Sequence, residues 1–383
     1  MFGDLMKKST MRLAPFNAAL ILGGTAVFAG CGGNTTTSTT TTSTTTNEAT
    51  NSADNTTNTA MSDAGTTGTA KLTGAGATFP YPLYSKWFDT YKNSSKVEIN
   101  YQPVGSGAGI KQLKSKTVDF GASDAVLKAS EKAEMPGEVL QIPTVAGAVV
   151  VAYNVEGAPK HLKMSGDVLA DIFLGKIKNW NDPRIAAANP GVKLPTRAIT
   201  VARRSDGSGT TNIFTNYLKA VSPEWSTKVG AGKAVEWPVG IGGKGNDGVA
   251  STVKNTKGAI GYIELAYATE QDMSYAAMRN SAGQFVIPTP EATTAAAEAN
   301  AAVLQKDITV PIVNASGAKS YPISGFTYIL VYKKQDDAAK GVAIKNFLKW
   351  AMTEGQKSAK SLSYAPLPPA AVAVNTKTID SIS

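Results

Sequence analysis

The chain has 383 residues, 42% hydrophobic and 17% charged, with a formal net charge of +9, one cysteine and one histidine; that length suits about two domains after any leader is removed. A lone thiol excludes an internal disulfide framework, and a lone histidine, His161, excludes multi-histidine metal sites and argues against a Ser–His–Asp triad. The positive excess suits an anionic ligand or anionic headgroups, while the dispersed lysines, with no basic run interleaved with aromatics, argue against nucleic acid.

Residues 1–30 have the layout of an export signal. Lys7, Lys8 and Arg12 form a basic start, and Ala18 to Gly30 is an apolar run. That run is shorter than the ~20 residues a spanning helix needs, so it reads as a secretory core. Cys31 stands at the cleavage point and resembles a bacterial lipobox, where the thiol is lipidated after export, although Phe28 replaces the usual leucine. The other reading is a soluble signal peptide with an incidental cysteine. Residues 31–70 are Thr, Ser, Asn, Ala and Gly with almost no large apolar side chain. Such a segment cannot offset its ordering entropy and reads as a disordered tether, with a reach of roughly 35 Å as a flexible coil. An O-glycosylated stalk is the alternative. The leader carries Asp4 against its three basic residues and the tether only Glu48, Asp54 and Asp63, so the positive charge belongs to the body.

From Lys71 onward short β-type runs alternate with helical patterns, the mark of an α/β architecture. Tyr84, Trp87, Phe88 and Tyr91 form one apolar helix face, opened by Thr78, Pro80 and Pro82. Val97–Tyr101 alternates like a strand, a helix begins near Ile110 and Leu113, and Val118–Asp124 is a short strand ending on Ser123 and Asp124. Val145–Tyr153 is apolar throughout, as a buried central strand would be. A helix over Asp167–Leu174 stops at Gly175, and Asp182-Pro183 opens another. The strand Ala198–Ala202 runs into Arg203 and Arg204, and a helix with Ile213, Phe214, Tyr217, Leu218 and Val221 inward follows. Asn246-Asp247 is the expected cap of a helix ending at Gly258, before the strand Ala259–Ile263. Residues 292–304 are helical, Phe326–Tyr332 is a buried strand, and Val342, Phe347, Leu348 and Ala351 face inward from a helix. Pro366, Pro368 and Pro369 are expected to end regular structure.

Three glycine-rich segments precede helical stretches: Thr73-Gly-Ala-Gly-Ala-Thr-Phe79, Gly105-Ser-Gly-Ala-Gly109 and Arg203-Arg-Ser-Asp-Gly-Ser-Gly-Thr210. A helix start offers unpaired N–H groups and the positive end of its dipole. Glycine admits an anion close to the backbone, and a Ser or Thr hydroxyl adds a donor. Each glycine alone could serve a tight turn; the three together point to a site that wraps a small oxyanion. Adjacent Arg203 and Arg204 point to opposite sides of a strand end, so at most one of them reaches the pocket. Asp206 could pair with it. Asp124 discriminates: a carboxylate beside an anion repels it unless the anion carries a proton to donate. Monohydrogen and dihydrogen phosphate do, and sulfate at neutral pH does not. An Asx-type turn is the plainer role for Asp124.

Gly240-Ile-Gly-Gly-Lys-Gly245 matches a dinucleotide fingerprint, with Glu264 near the offset of a ribose-binding acid. It follows Trp237-Pro238 rather than a clean strand, and the pattern alone is weak. No phosphate-binding G-x-x-x-x-G-K-[ST] loop occurs. No cofactor or metal is expected.

Several segments jointly resemble the PstS family, substrate-binding proteins of bacterial phosphate ABC transporters: Thr73 to Pro80, Asp119-Phe-Gly-Ala-Ser-Asp124, Leu174-Gly-Lys-Ile-Lys-Asn-Trp180, Arg203 to Thr210, Gly242-Gly-Lys-Gly-Asn-Asp-Gly248 and Gly258-Ala-Ile-Gly-Tyr262. The resemblance covers about Leu72 to Pro368. It implies a two-lobed type II periplasmic-binding-protein fold with two hinge crossings near Ala146 and Ser324. Residues 71–146 and 324–383 would form lobe I and 147–323 lobe II. It carries phosphate contacts to Thr78, Phe79 (through its N–H), Ser106, Asp124, Arg204, Ser208, Gly209 and Thr210, with Asp206 holding Arg204. Gly107 departs from the second serine often found there. The implied protein is a non-enzymatic extracytoplasmic receptor, in the periplasm or on the outer face of the membrane through a lipid on Cys31. Its partners would be phosphate and the permease and ATPase subunits of a transporter. A receptor for another oxyanion, or a phosphatase using Ser106 or Ser208, are the rival functions; the latter lacks an obvious general base.

Overall fold

The computed structural model describes residues 70–383 except Gln305. The expected signal peptide, Cys31 and all of the expected tether but Ala70 lie outside the described residues. Ala70 is already tied to the body, its carbonyl accepting from the Glu98 N–H at 3.1 Å.

In the first group of elements, β1 (Lys71–Gly76) leads to α1 (Tyr81–Ser95), β2 (Glu98–Gln102) to α2 (Ser106–Lys114), and β3 (Phe120–Ser123) to the short α3 (Ala129–Ala133). The long β4 (Val139–Tyr153) crosses to a second group. This holds β5 (Lys163–Met164), α4 (Gly166–Phe173), α5 (Pro183–Ala188), β6 (Thr200–Arg204), α6 (Gly209–Val221), α7 (Pro223–Lys228), β7 (Ile241–Gly243) and α8 (Gly245–Asn255). It continues with β8 (Ala259–Glu264), α9 (Leu265–Glu270), β9 (Ser274–Tyr275), β10 (Ala277–Arg279), β11 (Phe285–Val286), α10 (Pro290–Glu298) and α11 (Ala301–Leu304). β12 (Ser324–Tyr332) returns to the first group, which α12 (Ala338–Met352) and α13 (Pro369–Asp380) complete.

The main sheet runs β2-β1-β3-β12-β4-β8-β6-β7. Strands β1, β2 and β3 are mutually parallel, as are β6, β7 and β8; the antiparallel pair β12–β4 joins the two sets. Along β4, Val139–Ala148 face β12 and Val149–Tyr153 face β8. This is the two-lobed α/β architecture, with two strands shared between the halves. The expected central strand begins at Val145; the real one starts six residues earlier, its first half masked by Gln141 and Pro143. Pro143 has no N–H to give a ladder. Beside it the register slips between Thr327 and Tyr328, leaving Thr144 bulged. A bulge re-aims side chains: here the Thr144 hydroxyl meets Tyr84 OH at 2.7 Å, and the Thr327 hydroxyl turns to Asp124.

The aromatic stripe of α1 is core. Tyr84, Trp87, Phe88 and Tyr91 are buried against Tyr101, Phe120, Phe347 and Trp350. Each such ring contributes about 1.5–3 kcal/mol of transfer free energy. Trp87 also donates from Nε1 to the Gly355 carbonyl at 2.8 Å. Three expectations fail. Pro369 does not end regular structure but opens α13, where a missing N–H costs nothing. Val342 is 59% exposed. Asn246 is not a cap: Lys244 is the N-cap of α8 and Asn246 sits in the first turn, free to point elsewhere.

Candidate functional site

The two sets of parallel strands end facing one another, the usual place for a ligand in α/β sheets. Thr78 and Phe79 follow β1, Ser106 opens α2 after β2, and Asp124 follows β3. Opposite, Arg204 ends β6, Ser208 caps α6, Gly209 and Thr210 open it, and Asn246 lies in the first turn of α8. Thr78, Ser106, Asp124, Arg204, Ser208 and Thr210 are all buried.

The walls touch. The Ser106 hydroxyl accepts from Gly209 N–H at 3.0 Å and from Asp124 N–H at 3.4 Å, and Gly107 N–H donates to the Gly207 carbonyl at 2.8 Å. Glycine is required twice. Gly105 caps α2 at φ 95°, in left-handed space, and a Cβ on Gly209 would lie 2.6 Å from Asp124 Oδ2. Arg204 holds Asp206 bidentately, Nε to Oδ1 at 2.8 Å and Nη2 to Oδ2 at 2.5 Å, and its Nη1 donates to Thr210 Oγ1 at 3.4 Å. With its side chain 1% exposed, this is a buried fork, not a surface pair. Tyr262 fixes the base of the fork by accepting from the Arg204 N–H at 3.1 Å.

The carboxyls have different environments. Burial pushes Asp124 up to about 7; the Thr327 hydroxyl, the Arg204 charge and the Thr210 hydroxyl and N–H pull it back only partly. Thr327 donates to its Oδ1 at 2.8 Å. Asp206 is also raised by burial, but the Arg204 hydrogen bonds, its charge and the Gly245 N–H outweigh that and hold the carboxyl below its ordinary value. Burial keeps Glu264, at the end of β8, well above the usual range, despite the bond from Ala266 N–H; its Oε2 also lies 3.1 Å from the Tyr364 hydroxyl.

The structure brings the expected site residues into one enclosure, with qualifications. Ser208 spends its hydroxyl accepting from Thr211 N–H at 3.0 Å, capping α6. Arg203 lies on the other strand face, its Nη1 donating to the Arg204 carbonyl at 3.3 Å. His161 is elsewhere, against Tyr275. The Gly240–Gly245 run is not preceded by a strand, as expected; it contains the short β7 itself, and its helix start is turned to Asp206 and Thr78. Asn246 and Thr327 were not legible as site residues, nor were Tyr267 and Tyr364, whose hydroxyls donate to the Thr78 and Phe79 carbonyls at 2.6 Å each. Only the Gly-Asn-Asp-Gly composition at the start of α8 hints at Asn246. Outside the enclosure, Lys233 Nζ donates to Glu131 Oε1 and Oε2 at 2.5 and 2.8 Å, bridging the halves, and the Lys233 carbonyl accepts from Ser208 N–H at 2.8 Å.

The PBP superfamily domain matches residues 34–354. The chain is 47% identical over 324 residues to the phosphate-binding protein PstS of Xylella fastidiosa strain 9a5c, covering 84% of this chain and 88% of that one. To the protein of the same name from Pasteurella multocida strain Pm70 it is 46% identical, covering 79% and 88%. Among solved structures, a high-affinity periplasmic phosphate-binding protein with phosphate bound (PfluDING) shares the fold at a TM-score of 0.63 and 23% identity, over 82% of this chain and 99% of that one. A Clostridium perfringens protein with bound phosphate does so at 0.55 and 19%, over 78% and 100%.

Proposed function

The chain belongs to the PstS family of phosphate-binding proteins, and on that premise we propose that it captures inorganic phosphate between its halves and passes it, unaltered, to an ABC-type permease. Residues 71–146 with 324–383 act as one lobe and 147–323 as the other. The anion is held by Thr78, the Phe79 N–H, Ser106, Arg204, Ser208, Gly209 and Thr210, with Asp124 accepting a proton from it and Asp206 holding Arg204 in place. Export and a lipid on Cys31 would leave the body at the outer face of the membrane, beside the permease and its ATPase. No described helix is long and apolar enough to cross a membrane.

The observation that supports this most is the meeting of Arg204, the start of α6 and Asp124 in one buried enclosure. Fixed N–H and hydroxyl dipoles replace the water an anion loses, and a guanidinium matches two of its oxygens. Asp124 titrates near 7, and in its ionised form it accepts only from a ligand that brings its own proton; a proton-free anion would have to bind the protonated form. A buried polar group left unpaired by the wrong ligand discriminates by up to roughly 10,000-fold. Calorimetry with phosphate and sulfate, on wild type and Asp124→Asn, tests this. Equal affinity of wild type for the two anions refutes the role given to Asp124. Phosphate release from a chromogenic monoester, lost on Ser106→Ala, would replace transport by hydrolysis.

A further inference from the structure

We propose that Asn246 is a positioning residue that sets the polarity of the anion cage, turning the hydroxyls of Thr78 and Thr210 into obligate donors. This rests on the phosphate-capture reading and adds a residue to that site. The side-chain amide Nδ2 carries two hydrogens. It donates to Thr78 Oγ1 at 2.8 Å and to Thr210 Oγ1 at 3.2 Å. The two threonines come from opposite halves, one after β1 and one in the first turn of α6.

Each threonine oxygen receives a second donor. Thr78 Oγ1 also accepts from the Asn246 backbone N–H at 3.1 Å, and Thr210 Oγ1 from Arg204 Nη1 at 3.4 Å. A hydroxyl has two acceptor sites and one proton. With both acceptor sites filled, each hydroxyl can only donate its proton; the Thr210 hydroxyl gives it to the Asp124 carboxyl, for which an anion would compete. The amide cannot be read the other way round, because Oδ1 accepts from the Glu264 N–H at 3.0 Å. Asn246 is wholly buried, so water does not compete for these groups. An ambivalent hydroxyl becomes a donor with no added charge, which is what an anion needs and what a neutral or cationic ligand would not.

Two measurements on the intact protein test this. In a double-mutant cycle of Asn246→Leu with Thr78→Val, read by phosphate calorimetry, Asn246→Leu alone weakens binding about 10- to 100-fold, the span of hydrogen bonds to charged groups. In the Thr78→Val background it costs clearly less, because part of its effect has no hydroxyl left to act through. Full additivity overturns the proposal, since a merely structural asparagine would give that. The second measurement needs no ligand: the ¹⁵N-resolved side-chain amide protons of Asn246. Thr78→Val shifts one of them and Thr210→Val the other. If neither variant moves either proton, the bridge is refuted. Failure of wild type to bind phosphate would sink the functional reading and leave the amide spectrum to judge the bridge.

Discussion

Asp124 and Asp206 stand on opposite walls of one enclosure, and their carboxyls are shifted in opposite directions. Asp206 meets a guanidinium fork and a backbone N–H, so the charged form is held despite partial burial. Asp124 meets hydroxyls and only the more distant Arg204 charge, so desolvation wins and the carboxyl rises to about 7. Burial alone does not decide ionisation; the donors supplied with it do. One wall keeps a fixed negative charge to orient its arginine. The other keeps a carboxyl near its midpoint at neutral pH, suited to sharing a proton with a ligand.

The most severe way to break the contrast is Arg204→Met. On the proposed reading it removes the anion's cationic partner and it strands Asp206, so phosphate affinity should fall by at least about 1,000-fold, with a stability loss of about 3–5 kcal/mol. Calorimetry and denaturant unfolding check both, and Arg204→Met/Asp206→Leu should recover much of the stability but none of the binding. An unaffected affinity in Arg204→Met would remove the arginine from the site.

Asp124→Asn should erase about 100-fold of the preference for phosphate over sulfate. It also isolates a pH effect. Because the folded carboxyl titrates near 7 and an unfolded one near ~3.9, the folded protein binds the extra proton in between. Unliganded wild type should therefore lose stability as pH rises from about 4 through 7. The asparagine variant should lack that decline, as thermal melts across the range would record. Asp206 has the opposite sign: its depressed value adds stability above ~4 that disappears as pH falls through the folded value. Asp206→Asn should weaken phosphate about 10-fold by loosening the fork, seen as higher Kd with little change in association rate.

The smallest effect belongs to the bridge between Lys233 and Glu131, partly shielded at 13% and 26% exposure. We predict that Lys233→Met or Glu131→Gln speeds phosphate release about two- to fivefold, given the modest worth of such pairs. Stopped-flow release would show it, and an unchanged rate in both variants would mean that the pair merely coexists with closure.

Much of this was legible in the linear chain. Helix starts marked by Thr78, Ser106 and Ser208–Thr210 announce themselves locally, because glycine, hydroxyl and apolar periodicity act over a few residues. The α1 stripe and the heart of β4 were visible for the same reason, and the resemblance separated Arg204 from Arg203. The start of β4 was hidden by Pro143, and α13 by a proline cluster that reads equally as an ending or an opening.

Amino-acid order by itself determined the fold class and the glycine- and hydroxyl-bearing helix starts, both consequences of short-range chemistry. Tertiary structure alone decided which groups meet. Asn246 reaches Thr78 across 168 positions of sequence, Thr327 reaches Asp124 across 203, and Lys233 reaches Glu131 across 102. No periodicity records such meetings, because hydrogen-bond polarity and a buried carboxyl's proton depend on what the other half of the molecule brings within about 3 Å.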